Sequence, residues 1–240
     1  MGVVLACDLG GTTLRVALLD AQGAAQAEAV VDSPAGQAGD GWAEIEADDW
    51  WRAYGEAVEA LAKEAGALFD GVVAIATCGV TRTQVFLDET GRPLRPAITW
   101  RDARAAGVMD DVLAALPPDH PERAALNPFH PLARLAWLRR NEPDAHDRLR
   151  SVAEPKDYLN FRLTGLAAVA GAPLAAFGCD PAVLPPLLPP TGLVGHVAPG
   201  LPGALGRLAG RPVYACSNDT WAAVAGLGAL RAGYAYNISG

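Results

Sequence analysis

The stretch CDLGGTTLRVALLD, from Cys7 to Asp20, closes an apolar run with an aspartate, adds two glycines and two threonines, and begins a second apolar run after Arg15. Such a turn can grip an anion. Gly10 and Gly11 lack a Cβ and let backbone N–H groups approach a phosphate closely. Thr12 and Thr13 add hydroxyl donors, and Arg15 adds positive charge. Asp8, at the end of what reads as a buried strand, is placed to hold Mg²⁺ through water, because Mg²⁺ keeps much of its hydration shell. The stretch has no lysine and no Walker spacing. An ordinary hairpin turn uses the same residue types, so on this stretch alone both readings stand.

Two further stretches carry chemistry. In CSNDTWAAVAGLG, Asp219 follows one expected strand and opens an expected helix, where the helix dipole favours a carboxylate ready to accept a hydroxyl proton. Ser217, Asn218 or Asp219 could equally be a plain N-cap. In ITWRDARA, Trp100, Arg101, Asp102 and Arg104 set an aromatic face beside forked donors and a carboxylate, which suits a polyhydroxylated ligand. A surface Asp–Arg pair at a helix start is the alternative. The four histidines (His120, His130, His146 and His196) fall in loop or helix-end contexts and read as surface residues.

The elements that position these residues follow from hydrophobic periodicity. Val3–Asp8 and Leu14–Leu19 read as a hairpin, Gln26–Val31 as a third strand, and Gly71–Thr77 as a buried central strand. Trp51, Tyr54, Val58, Leu61 and Ala65 recur at helical spacing, with Asp48 as the N-cap candidate and Gly66 as the stop. Further on, Thr83–Asp88 and Ala97–Trp100 read as strands around a turn at 89–93. Ala103–Leu116, Leu132–Arg140 and Lys156–Leu163 read as helices. Pro181–Pro212 is rich in proline and glycine and reads as surface loop. Pro212–Ala215 is a strand and Asp219–Arg231 a helix. Tyr234–Gly240 opens a new strand and stops within it, as a truncated chain would. The pattern is α/β with a mixed sheet.

Composition narrows the function classes. A chain of 240 residues with 51% apolar and 19% charged residues builds a substantial core. Its net charge of −8 and its lack of any basic run set nucleic acid aside as a main partner. No apolar run approaches the roughly 20 residues of a membrane span, so no membrane partner is expected. Cys7, Cys78, Cys179 and Cys216 are scattered without a CxxC pair, which points to reduced thiols and a cytoplasmic setting rather than to zinc or disulfides.

Together the motifs resemble the N-terminal domain of the FGGY carbohydrate kinases, the group containing glycerol kinase, xylulokinase and gluconokinase. In order along the chain these are DLGGTT, GWAEIEADDWW, DETGRPLRPAITWRDAR, NPF with ARLAWLRRNEPD, EPKDYLNFRLTG, SNDTWAAVAGLGAL and NISG. The resemblance implies an α/β, ribonuclease H-like (actin-like ATPase/sugar kinase) domain with a mixed five-stranded sheet and a substrate-site insertion. It divides the chain into a sugar-binding domain at 1–233, with core 1–77 and 213–233 and insertion 78–212. Residues 234–240 would be the first strand of a C-terminal nucleotide-binding domain. The implied reaction moves the γ-phosphoryl group of ATP, with Mg²⁺, to a hydroxyl of a sugar or polyol. Carried over by motif position, Asp8 assists metal and phosphate, Gly10, Gly11, Thr12, Thr13 and Arg15 surround the phosphates, and Asp219 is the base. Thr81, Arg82, Trp100, Asp102, Arg104, Phe129 and Thr220, with Asp219, would line the sugar. The implied partners are that sugar and the chain's own C-terminal domain, and a second copy of the chain is a further candidate.

The chain departs from the family at Gly79-Val80-Thr81-Arg82, which matches neither the Gln-Met-His of xylulokinases nor the Arg-Glu pair of glycerol kinases. Phe129 stands where glycerol kinases carry a substrate-contacting tyrosine, and Trp221 replaces a small residue. The segment after Gly165 is shortened. These differences leave the sugar unassigned. A polypeptide ending at Gly240 is expected not to phosphorylate a sugar by itself. A non-catalytic sugar-binding or regulatory module and an actin- or chaperone-like ATPase are the alternatives from other classes. Retention of both Asp8 and Asp219 speaks against the first, and the 78–212 insertion against the second.

Overall fold

The structure is a computed structural model that describes residues 2–119, 121–166, 169–170, 187–228 and 232–233. Strands β1 (Val3–Leu9), β2 (Thr13–Leu19) and β3 (Ala25–Asp32) open the chain, followed by β4 (Gln37–Gly39), β5 (Trp42–Ile45) and helix α1 (Ala47–Ala65). Next come β6 (Val72–Gly79), β7 (Val85–Leu87), β8 (Ala97–Ile98), α2 (Met109–Ala115), α3 (Pro131–Asn141) and α4 (Pro143–Arg148). Then follow β9 (Ser151–Ala153), α5 (Pro155–Thr164), β10 (Val169–Ala170), β11 (Leu187–Leu188) and β12 (Leu193–His196). The described elements end with α6 (Gly203–Gly206), β13 (Pro212–Ala215) and α7 (Asp219–Gly226).

The main sheet runs β12-β13-β6-β1-β2-β3. Strands β1, β6 and β13 are parallel, while β2, β3 and β12 each run antiparallel to the neighbour they pair with. The mixed α/β architecture is as expected, with one correction: the sheet has six strands rather than five. The sixth, β12, lies in the Pro/Gly-rich stretch read as loop. It is only four residues long and gains its hydrogen bonds from β13 rather than from any local periodicity. The expected strand at 234–240, the end of the last helix at 229–231, His120 and Cys179 lie outside the described residues.

One face of the sheet builds the core. Val3, Leu5, Cys7 and Leu9 alternate inward along β1, as the two-residue strand period requires, and meet Trp50, Tyr54, Ala57, Val58 and Leu61 of α1. Tyr158, Leu159 and Leu163 of α5 complete this layer over Ile75 and Val213. Each large apolar side chain fully buried here contributes roughly 1.5–3 kcal/mol. The buried stripe of α1 carries Trp50, whereas Trp51 is only partly buried and packs its ring under Arg162 at 4.9 Å. Asp48 is not the N-cap. The helix starts two residues earlier, at Ala47 after the N-cap Glu46, and the Asp48 carboxylate accepts from the Tyr158 hydroxyl at 2.7 Å and pairs with Arg162. Gly66 closes α1 as expected, at φ 56°. Residues 104–108 form a 3₁₀ turn before α2, so the helix expected from 103 is α-helical only from Met109. None of the described helices is long and apolar enough to cross a membrane.

Candidate active site

Three parallel strands deliver the chemistry-bearing residues to one end of the sheet. Asp8 of β1 stands opposite Cys78 of β6, and Ala215 of β13 stands opposite Thr77, so Cys216 follows beside Cys78. The Cys78 thiol contacts Asp8 Oδ1 at 3.7 Å. Burial, with Asp219 as the nearby like charge, pushes the Asp8 carboxyl up, while Cys78 and Arg15 pull against it. Asp219, far from Asp8 in sequence, is thus near enough for its charge to act on Asp8. A divalent cation held through water fits two such carboxylates and offsets their repulsion. The Cys216 thiol, hydrogen-bonded with Cys78 and helped by the Ser217 backbone and Lys156, is drawn below its ordinary range. The Cys78 thiol is held protonated by that same bond and by burial.

The turn between β1 and β2 is built by its glycines. A Cβ on Gly10 would stand 2.8 Å from the Thr13 carbonyl oxygen. Gly10 N–H donates to that oxygen at 2.9 Å, and its own carbonyl accepts from the Ser33 hydroxyl at 2.6 Å. The Gly10 donor is thus spent on the turn, while Gly11 and Thr12 make no N–H bond within the described residues. A Cβ on Gly11 would reach 3.9 Å from the Trp100 indole nitrogen, so Trp100 borders the turn. Arg15, across from Asp8 in the β1–β2 register, pairs with Glu28 at 3.2 Å, an exposed pair that contributes little to stability.

At α7, Asn218 is the N-cap, its side chain accepting from the Trp221 N–H at 2.9 Å. That relieves Asp219 of capping. Asp219 Oδ1 accepts from Thr220 N–H at 2.6 Å and from the Thr220 hydroxyl at 3.3 Å, which fixes the carboxylate at the helix entrance.

Trp100 is 45% exposed, its backbone N–H donating to the Thr83 hydroxyl at 3.1 Å and the Arg101 guanidinium lying 4.9 Å above its ring. Thr81 and Arg82 are held by a group that the sequence reading did not single out. Glu154 accepts from the Thr81 hydroxyl at 2.5 Å and the Arg82 N–H at 3.0 Å, and it is backed by the buried Lys156 at 3.4 Å. Burial works against the charge of Lys156, but Asp157 and Glu154 outweigh it and hold the ammonium above its ordinary range. Arg82 has φ 56°, the one positive φ outside glycine among the described residues. Phe129 sits part-buried before α3, its N–H bonded to Asn127 at 2.9 Å.

Asp102 and Arg104 are differently employed. Asp102 is 0% exposed, and its oxygens accept from Ala43 N–H at 2.7 Å, Arg104 N–H at 2.9 Å and the Arg104 guanidinium at 2.7 Å. Arg104 also reaches Glu44 at 2.7 Å and lies 4.8 Å over the Trp137 ring. These two residues, expected to touch sugar, are bonded to each other and staple β5 to the 3₁₀ turn, Asp102 fully buried and Arg104 partly so. Arg104 lines a separate groove of 550 Å³ with Trp42, Glu44 and Trp137. Of the missed residues, Lys156 and Arg134 are charged yet buried, and Glu154 is partly so. The only sequence signal was the run EPKD, where charges crowd the start of an otherwise apolar helix.

The family model described as "FGGY family of carbohydrate kinases, N-terminal domain" matches residues 3–172. The chain is 33% identical over 162 residues to the xylulose kinase of Escherichia coli, covering 66% of this chain and 32% of that protein. It is 28% identical to the xylulose kinase of Lactococcus lactis, over 96% of this chain and 50% of that protein. The crystal structure of xylulose kinase from Rhodospirillum rubrum superposes with a TM-score of 0.82 at 25% identity, covering 96% of this chain and 52% of that one. Glycerol kinase from Plasmodium falciparum, at 17% identity and TM-score 0.81 over 95% of this chain and 50% of that one, shares the fold. The chain spans about half or less of the length of these relatives.

Proposed function

The chain belongs to the FGGY family of carbohydrate kinases, and from that premise we propose that it is the sugar-binding part of an enzyme transferring the γ-phosphoryl group of ATP to a sugar or polyol hydroxyl. The observation that carries this reading is the release of Asp219 from capping by Asn218, which leaves its carboxylate at the entrance of α7, just past β13, at the same end of the sheet as Asp8 with β6 alone between the two strands. The xylulose kinase relatives support the reaction class.

In this reading the sugar lies against Trp100, with the hydroxyl to be phosphorylated directed at Asp219. Thr220 fixes one Asp219 oxygen, and the carboxylate takes the hydroxyl proton as the oxygen attacks phosphorus. The Gly11 and Thr12 N–H groups face the phosphates of ATP. Asp8 and Asp219 would hold Mg²⁺ through water, and the ion would neutralise phosphate charge during transfer. Positioning and charge neutralisation supply most of the rate in such reactions. The domain division at 1–233 and 234–240, a separate nucleotide-binding domain as partner, and a cytoplasmic setting belong to the same proposal.

The test is ADP release with a sugar panel in the protein that joins this chain to its nucleotide-binding domain, comparing wild type with Asp219→Asn. Loss of a general base lowers kcat by roughly 10²–10⁴-fold. Turnover by the variant within a few-fold of wild type rejects Asp219 as the base.

A further inference from the structure

Arg82 is a costly residue to hold as it is. Its backbone lies in the left-handed region, which disfavours any side chain with a Cβ, and it stays there because groups on both sides fix it. Glu154 accepts its N–H, and the guanidinium of Arg134 donates to its carbonyl. A glycine would take the same conformation without strain, so the arginine side chain is retained against a local preference.

The surroundings of Arg82 are cationic. Arg134 is 0% exposed and donates to neutral oxygens: the Arg82 carbonyl, Gln84 Oε1 at 2.7 Å, the Thr99 carbonyl at 2.5 Å and the Asp102 carbonyl at 3.3 Å. Burial first, and then Arg104 and Arg82, lower it to about 10 against the opposing pull of Asp102. The carboxylates nearby are committed: Asp102 and Glu44 to Arg104, and Glu154 to Thr81, the Arg82 N–H and Lys156. Among the described residues Arg82 and Arg101 make no ion pair, and both are exposed. Arg101 rests on the Trp100 ring, and the Trp100 backbone N–H donates to the hydroxyl of Thr83, the residue next to Arg82. Arg134 ties the Arg82 carbonyl to the Thr99 and Asp102 carbonyls on either side of Arg101, so two guanidiniums without an ion pair stand on neighbouring backbone, one of them stacked on Trp100, in a chain whose net charge is −8.

We propose that the sugar accepted by this chain carries a carboxylate, bound by Arg82 with Arg101 beside it, at the end of the molecule away from the reacting hydroxyl. The proposal rests on the sugar-kinase reading above and names its substrate class as sugar acids of the aldonate kind. A guanidinium fork matches a carboxylate with two parallel hydrogen bonds, which a neutral hydroxymethyl group cannot accept with comparable strength. Asp8 and Asp219 repel an anion at the opposite end, so the charge pattern orients the ligand as well as selecting it.

The test is calorimetric titration of this chain with matched pairs that differ only in one terminal group: threonate against threitol, xylonate against xylitol, gluconate against glucitol. Glucose 6-phosphate and xylulose complete the panel. One aldonate is expected to bind at least ten-fold more tightly than its alditol, and more tightly than glucose 6-phosphate. Arg82→Gly, which suits the left-handed backbone, is expected to shrink the aldonate-to-alditol ratio ten-fold or more, with its melting curve confirming the fold. Alditols or xylulose binding as well as every aldonate, or a ratio unmoved by Arg82→Gly, would overturn the proposal and leave the kinase reading intact. Tighter binding of the sugar phosphate overturns the carboxylate. Failure of every sugar to bind overturns both.

Discussion

Replacing Asp102 by asparagine separates a staple from a sugar contact. The carboxylate is wholly buried, with one oxygen facing Ala43 N–H and the Arg104 guanidinium and the other facing Arg104 N–H and Nε. Every neighbour is a donor. An asparagine amide must turn its NH₂ toward one side, so at least one buried donor meets another donor, and Arg104 loses one of its two negative partners. A hydrogen bond to a charged group contributes about 1.5–3 kcal/mol, and breaking one side of a buried pair costs roughly 3–5 kcal/mol. Because Glu44 still partners Arg104, the lower end, about 3 kcal/mol, is expected. At roughly 2–4 °C per kcal/mol for a domain of this size, Asp102→Asn should lower Tm by about 6–12 °C in a calorimetric or dichroism melt. A sugar that stabilises the wild type should still raise the Tm of the variant. A Tm within about 2 °C of wild type, together with loss of that ligand-induced rise, would refute the staple and return Asp102 to the sugar.

Two other perturbations probe the same end of the sheet. A Cβ at Gly79 would lie 2.8 Å from both Leu9 O and Leu9 Cβ, so Gly79→Ala should push β6 from β1 beside Asp8, costing about 1–3 kcal/mol, measured as a fall in the urea midpoint with m unchanged. The Asp8 carboxyl is raised in the folded state by burial and Asp219. Its ionisation therefore costs stability, a cost absent below the ordinary carboxylate range near about pH 4 and complete above the raised folded value. Asp8→Asn should melt higher than wild type at pH 7, the difference vanishing at low pH. Mg²⁺ should raise the Tm of wild type more than that of the variant, and an equal rise in both would remove Asp8 from the metal site.

What could be read from the chain alone was whatever local pattern determines. The β1–β2 hairpin, α1, β6 and β13 follow from alternation and helical spacing that burial then uses. The tight turn between β1 and β2 was legible because glycine marks close backbone approach, and at Gly10 the backbone so approached is the turn's own Thr13 carbonyl. Strand β12 was illegible because its four residues owe their extension to a partner. The spacing put Trp51 on the inner stripe of α1, yet Trp50 is the buried one, because a single residue of helix rotation decides between them. The roles of Asp102, Glu154 and Arg134 were hidden for a different reason. A charged residue looks alike in sequence whether it faces solvent, a ligand or the interior, and only packing distinguishes the three. Asp219 was recognisable as a helix-entrance acid, but that Asn218 takes over the capping is a matter of geometry.

The parallel run β13-β6-β1 has a consequence for how such a protein can change. Neighbouring strands lie about 4.8 Å apart whatever their side chains, so the positions from which Asp8, Cys78 and the Asp219 turn depart are fixed by backbone hydrogen bonding. The segment from residue 80 to 192, which carries Arg82, Trp100 and the arginine staple, leaves this sheet after β6 and returns at β12. Insertions, deletions and new charges in that excursion can retune which ligand is admitted without altering the spacing of the acids at the strand ends. In the proposed kinase, ligand choice and bond-making chemistry would therefore be separately mutable.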